Sequence, residues 1–229
     1  GMILLLVIAG FIVTRPSVFT GIFAGGIGDR LDADVQIEDG TWDGWSSFTL
    51  KNISIQAHDL AGPPGKIAAI DSLHVDVNMS GLFGFGSVLD RIEVGPASLR
   101  IAEHAQDANQ LNVGRLFSDR SPSREQESIP ELPRSIILDS LRVEVGTYEG
   151  DQWFPRSEVV LEGKAEPDPA RPESYNIELR TLSGAKEAIE ITGKFDPNFP
   201  SVGLVLSEGS MDDSVIALLP SAIREWRRR

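Results

Sequence analysis

The chain has no cysteine in 229 residues, which excludes a disulfide framework and thiolate metal sites and leaves the redox compartment unspecified. Basic charge is scarce as well, with 21 Lys and Arg against 34 Asp and Glu and a net charge of −13. Binding to phosphate backbones needs concentrated positive charge, and the one basic cluster lies at residues 227–229, so nucleic acid is not expected as a partner. His58, His74 and His104 are the only histidines and lack metal-ligand spacing, and His74 falls on the polar face of a strand, where a solvated side chain is expected. No GxSxG elbow occurs, and no Cys or His is placed for nucleophilic work. Adjacent acids such as Glu38 with Asp39, or Asp212 with Asp213, arise by chance in so acidic a chain and read as solvated.

Two glycine-rich stretches also fall short of chemistry. The glycines of residues 21–28 follow an apolar run rather than a strand, so they do not make a nucleotide site. The GPPGK at 62–66 has Leu60 where a phosphate loop needs its first glycine, and Ile67 where it needs Ser or Thr. It reads as a turn. No catalysis, cofactor or metal is expected.

What the chain does contain begins with Ile3, Leu4, Leu5, Leu6, Val7, Ile8, Phe11, Ile12 and Val13, an uninterrupted apolar run. As helix it would be about 20 Å long, against about 30 Å for a bilayer core. The simplest expectation is a transmembrane helix truncated at residue 1, closed by Arg15 and Pro16 and followed by a juxtamembrane helix to residue 31. From Asp34 the apolar period becomes two and stays so, which predicts β-structure in two modules, 32–118 and 135–211. Residues 119–134, rich in Ser, Pro and charge, read as a linker or exposed loop, and residues 212–229 as a short amphipathic helix. Trp42 and Trp45 flank a glycine and suit either hairpin packing or a sugar or lipid contact.

The organising stretch is 67–101. Leu73, Val75 and Val77 alternate with polar residues, a Gly-punctuated LFGFG connection follows, and the return strand carries Ile92 and Val94. After Pro96 the alternation restarts in the other parity at Ala97, Leu99 and Ile101, so Pro96 marks an edge, a bulge or a bend. A similar parity change at Lys51 and Asn52 predicts a bulge. The segment SVLDRIEVGPASLRI is loosely echoed by IILDSLRVEVGTYEG. The apolar turn around Leu111, Val113, Leu116 and Phe117 reads as a plug or cap.

The order of elements is an apolar segment, a short helix ending DRLDADVQIEDGTWD, then FTLKNISIQA, IDSLHVDVNMSGLFGFG, LDRIEVGPASLRI and QLNVGRLF. It resembles the N-terminal region of AsmA-like and TamB-like proteins, relatives of the chorein-type bridge-like lipid transfer proteins, over about residues 3–118 and more loosely beyond. The resemblance implies a mainly β protein with a curved antiparallel sheet forming a β-taco-like groove, between an N-terminal membrane and juxtamembrane helix and a short C-terminal helix. It also implies an anchor in the bacterial inner membrane, a body in the periplasm, phospholipid as partner, and an envelope or outer-membrane protein as a further partner. On this reading the groove floor is Leu73, Val75, Val77, Ile92, Val94, Leu99 and Ile101, continued by Leu141, Val143 and Val145. The chain, far smaller than an envelope-crossing bridge, reads as an N-terminal fragment. The rival expectation is a non-catalytic periplasmic scaffold with a closed β-sandwich core that binds protein or glycan.

Overall fold

A computed structural model describes residues 24, 31–43, 46–78, 89–117, 133–183, 189–196 and 201–208. The expected membrane helix, the C-terminal helix and residues 119–132 of the linker lie outside the described residues. Among the described residues no helix is long and apolar enough to cross a membrane.

All the described strands belong to one sheet. The chain runs through β1 (Ala33–Trp42), β2 (Ser47–Ala57), the single helical turn α1 (Gly62–Gly65), β3 (Lys66–Val77), β4 (Leu89–Val94), β5 (Ala97–His104) and β6 (Asp107–Leu111). A 3₁₀ turn (Asn112–Phe117) leads on to β7 (Ser135–Glu149), β8 (Gln152–Asp168), β9 (Arg171–Ser183), β10 (Glu190–Asp196) and β11 (Ser201–Glu208). The strands on either side of residues 119–134 are continuous in this sheet, because β7 pairs with both β4 and β5. The sheet is mixed rather than antiparallel, since β4 and β5 run parallel to β7. A parallel neighbour cannot be reached by a tight hairpin, and here β6, the 3₁₀ turn and the segment up to residue 134 make the crossover.

Strands β4 and β5 are two halves of one strand. Against β3, Val94 faces Leu73 and Ala97 faces Ile70; against β7, Val94 faces Leu138 and Ala97 faces Leu141. No residue is gained or lost across Pro96. The Gly95 N–H donates to Ser72 O at 2.9 Å and the Asp71 N–H donates to Pro96 O at 2.8 Å. Consecutive residues of a regular strand address opposite neighbours, so this pattern is the parity switch itself, made in β3 and in β4–β5 at the same level. Gly95 suits the close approach, because a Cβ there would lie 2.2 Å from Ser72 Oγ and force that hydroxyl to turn away. Pro96 therefore marks a bend inside the sheet and not an edge.

The same switch crosses three further strands at that level. Glu38–Asp39 of β1 lies opposite Lys51–Asn52 of β2, which lies opposite Asp71–Ser72 of β3; Gly95–Pro96 then lies opposite Asp139–Ser140 of β7. In β2 the switch is made by the left-handed backbone of Asn52, φ 51°, rather than by the expected inserted residue. The Asn52 side-chain amide donates to Glu38 Oε2 at 2.8 Å, which fixes that conformation. A seam of polar and turn-forming residues thus divides the sheet at one height. The echoed segments do not define this alignment, since Leu138 faces Val94 and not Leu89.

Below the seam, toward the end where β1 begins, the 3₁₀ turn covers the sheet as the expected cap. Leu116 is buried with Ala33, Ala57 and Ile67, and Val113, Leu99, Ile55, Leu60 and Leu31 pack around them. Asn112 holds this cap in place. Its Oδ1 accepts the Ala102 N–H at 2.7 Å and the Val113 N–H at 2.8 Å, and its Nδ2 donates to Arg100 O and Pro64 O at 3.0 Å. The amide takes the place of a backbone partner where β3 has ended, and it is fully buried with all its bonds made. At the other end Asp168 closes the β8–β9 turn, accepting from Ala170 N at 3.0 Å and from Lys194 Nζ at 2.6 Å.

Removal of the Asn112 amide strands four backbone groups, so Asn112→Ala is expected to cost about 3 kcal/mol, read as a lower midpoint in urea unfolding. Asn112→Asp, which keeps the acceptors but loses both donors, should fail as well. The Lys194 ammonium, ahead of the Ala170 N–H, holds the Asp168 carboxyl below its ordinary range. A depressed carboxylate contributes stability above its unfolded pKa of about 3.9 and loses it as pH falls through the folded value. Asp168→Asn is therefore expected to be less stable than the parent at pH 7, with the gap closing below about pH 4.

Candidate functional site

Register gathers rows of apolar residues from β1 to β10 on one face. Directly above the seam the row runs Leu50, Leu73, Val94, Leu138, Gly163, Leu179, Ile191. The next row is Phe48, Val75, Ile92, Ile136, Ala165, Ile177, Gly193. Directly below the seam it runs Ile37, Ile53, Ile70, Ala97, Leu141, Leu161, followed by Val35, Ile55, Ala68, Leu99, Val143, Val159. The rows above and below the seam share a face, because Leu50, Ile53 and Val75 form one cluster with Ile70 and Leu73 packed against it. Without the switch the apolar residues below the seam would point to the other side.

The structure brings all ten sequence-predicted floor residues to this face. They do not have equal surroundings. Val75 and Val145 are buried, whereas Leu73, Val77, Ile92, Val94, Leu99, Ile101, Leu141 and Val143 are half-buried. The nine anchor residues from Ile3 to Val13 lie outside the described residues. Ile136, Leu138, Ile177, Leu179 and Ile191 lie in the same rows and are absent from the floor expected from the sequence. A signal for Ile136 and Leu138 was available, since Leu138 to Leu141 repeats the three-residue step of Val94 to Ala97.

Closure varies across the face. On β2 and β3, Phe48, Leu50, Ile53 and Val75 are between 0 and 4% exposed. Above the seam on β4 and β7–β10 only Tyr175 is fully buried among the described apolar-face side chains. The Tyr175 hydroxyl reaches across β8 and donates to Pro133 O, and burial pushes its pKa up to about 12. It bounds the half-buried strip at its upper end. Among the described residues no second sheet covers the face. Trp42 stacks on Phe48 with centroids 5.7 Å apart, the hairpin-packing outcome of the two expected; Trp45 lies outside the described residues. Phe154 and Leu182 are exposed singly, as surface apolar residues commonly are.

The opposite face is polar. Arg142 meets Glu158 at 3.2 Å, Lys164 meets Glu178 at 3.4 Å, and Arg180 pairs with Glu162. Near the cap a recess of about 370 Å³ has Gln36, Ser54, Gln56, Ser98, Arg100 and Glu144 in its walls. Arg100 is committed within it, bound to Glu144 at 2.7 Å and Pro63 O at 2.7 Å and lying over the Trp153 ring at 5.2 Å.

His74 is less free than its place in the alternation suggested. Its Nδ1 lies 2.9 Å from Thr49 Oγ1 and its Nε2 lies 3.3 Å from Asp76 Oδ1, a Thr–His–Asp line that resembles a nucleophile relay. The Thr49 hydroxyl donates to Asp43 Oδ2 at 2.8 Å, however, so its proton is directed away from the imidazole. Among the described residues no three His, Asp or Glu side chains gather as a metal site.

Gly163 sets the surface of the strip. A Cβ there would lie 2.3 Å from Glu178 O and 2.6 Å from Leu179 Cδ2, so the Leu179 side chain leans into the space a larger residue would take. Gly163→Ala is expected to cost about 2 kcal/mol through overpacking, seen as a lower melting temperature in calorimetry. No protein-family model matches the chain, and neither a curated protein nor a solved structure matches it.

Proposed function

We propose that this chain is a membrane-anchored protein of the bacterial envelope, of the AsmA-like and TamB-like kind, whose apolar sheet face binds or conducts phospholipid between membranes. Residues 3–13 anchor it in the inner membrane and the sheet stands in the periplasm. The observation that carries this reading is the run of register-matched aliphatic rows from β1 to β10 on one face of one sheet, half-buried over β4 and β7–β10. The mechanism is physical rather than catalytic. Each CH₂ kept out of water lowers the free energy by about 0.8 kcal/mol, while the headgroup stays solvated at the rim of the sheet.

A second reading has one observation in its favour. Phe48, Leu50, Ile53 and Val75 are closed, as the core of a non-catalytic scaffold for protein or glycan would be. The two readings separate in native mass spectrometry of the detergent-purified chain and in lipid extraction. The lipid reading expects phospholipid to copurify and a labelled phosphatidylethanolamine to pass from vesicles to the protein. Lipid-free protein that takes up no label leaves the scaffold.

A further inference from the structure

We infer that the recess near the cap, on the polar face of the sheet, binds a saccharide unit, a neutral and hydroxyl-rich ligand. It lies on the side away from the apolar rows, so the inference does not depend on the lipid reading.

The hollow follows from the register. Below the seam the polar row Gln36, Ser54, Ala69, Ser98, Arg142 carries three small side chains on three neighbouring strands, with a long one at each end. In the next row Asp34, Gln56 and Lys66 stand on one side and Arg100 and Glu144 on the other, because β3 and β5 pair only over Ala68–Ile70 and part below. Elsewhere the polar face carries cross-strand ion pairs such as Arg142 with Glu158 and Lys164 with Glu178. Over the small residues that cover is interrupted. The space left is about 370 Å³, within the range of small-molecule sites, about 300–1,000 Å³.

The polar groups around it are held ready. Arg100 bonds Glu144 Oε2 twice, at 2.7 and 3.0 Å, and Pro63 O once, at 2.7 Å, and its guanidinium rests over Trp153. Glu144 is thereby fixed, and its Oε1 has no partner among the described residues. The side chains of Gln36, Ser54, Gln56 and Ser98 also hydrogen-bond to no described residue.

These groups select the ligand. Two carboxylates, Asp34 and Glu144, stand with two cations, Lys66 and Arg100, so a charged ligand of either sign meets attraction and repulsion together. An apolar ligand would strand the amides and hydroxyls without water. Arg100 lies over the Trp153 ring and no aromatic residue lines the recess, so a nucleobase finds nothing to stack on. What fits is a molecule that donates and accepts at several neighbouring points. Vicinal hydroxyls do both, donating to a carboxylate in charge-assisted bonds and accepting from Ser and Gln.

Saturation-transfer NMR on the full chain, in a detergent without a sugar headgroup, tests this with glucose, N-acetylglucosamine and cellobiose. Transfer to at least one of them is expected. Ala69→Leu, which fills the hollow from an exposed position, should weaken binding about tenfold with the circular dichroism spectrum unchanged. Ser98→Val, a residue that strands favour, fills it independently and should do the same. Lys164→Ala, on the same face but outside the recess, should leave binding intact. Absence of transfer to all three sugars, or transfer that survives both filling variants, overturns the inference and leaves the lipid reading untouched.

Discussion

The rest of the structure depends on five strands changing side-chain parity at one height. A strand presents alternate residues to alternate faces, so a two-residue polar interruption would send everything beyond it to the wrong side. One strand alone could not switch, because its neighbours would then set polar residues against apolar ones. Here Glu38–Asp39, Lys51–Asn52, Asp71–Ser72, Gly95–Pro96 and Asp139–Ser140 switch together in matched register. The apolar face is therefore continuous through the seam, with Leu50 and Ile53 in one cluster.

The local means differ between strands. Asn52 adopts a left-handed backbone held by Glu38, and Gly95 leaves room for the Ser72 hydroxyl beside it. Between β7 and β8 the pairing slips between Leu138 and Leu141, so β8 keeps its parity through Leu161, Gly163 and Ala165. The seam therefore ends at β7. Beyond it the sheet is a plain meander, with Leu161, Leu179 and Ile191 half-buried on its apolar face.

Closure of the face follows from what the chain has available to cover it. The β5–β6 excursion returns a single 3₁₀ turn, enough to seal the first strands at one end and held there by a buried amide whose hydrogen bonds are all made. The opposite face needs no cover. It carries ion pairs, as in Lys164 between Glu166 of its own strand and Glu178 of the next, which holds the lysine pKa above its ordinary value. An acidic chain thus keeps one wet face and one dry face, and the contrast between them carries the functional reading.

Much of this was legible in the sequence, within the reach of a local signal. Period-two alternation identified the β class, the ten residues that share the apolar face, the discontinuity at Pro96, the parity change at Asn52 and the cap around Val113 and Leu116. Alternation is a property of neighbouring residues along a strand, so it reports which side chains share a face but not which strand lies beside which. Only the tertiary structure decided that β7 inserts parallel to β4 and β5 and that the five switches align. It also decided that Val75 and Val145 are closed while Leu138 and Leu179 are half open. Those features depend on contacts between residues tens of positions apart, where the hydrophobic pattern is the same whether a face meets core, cap or lipid.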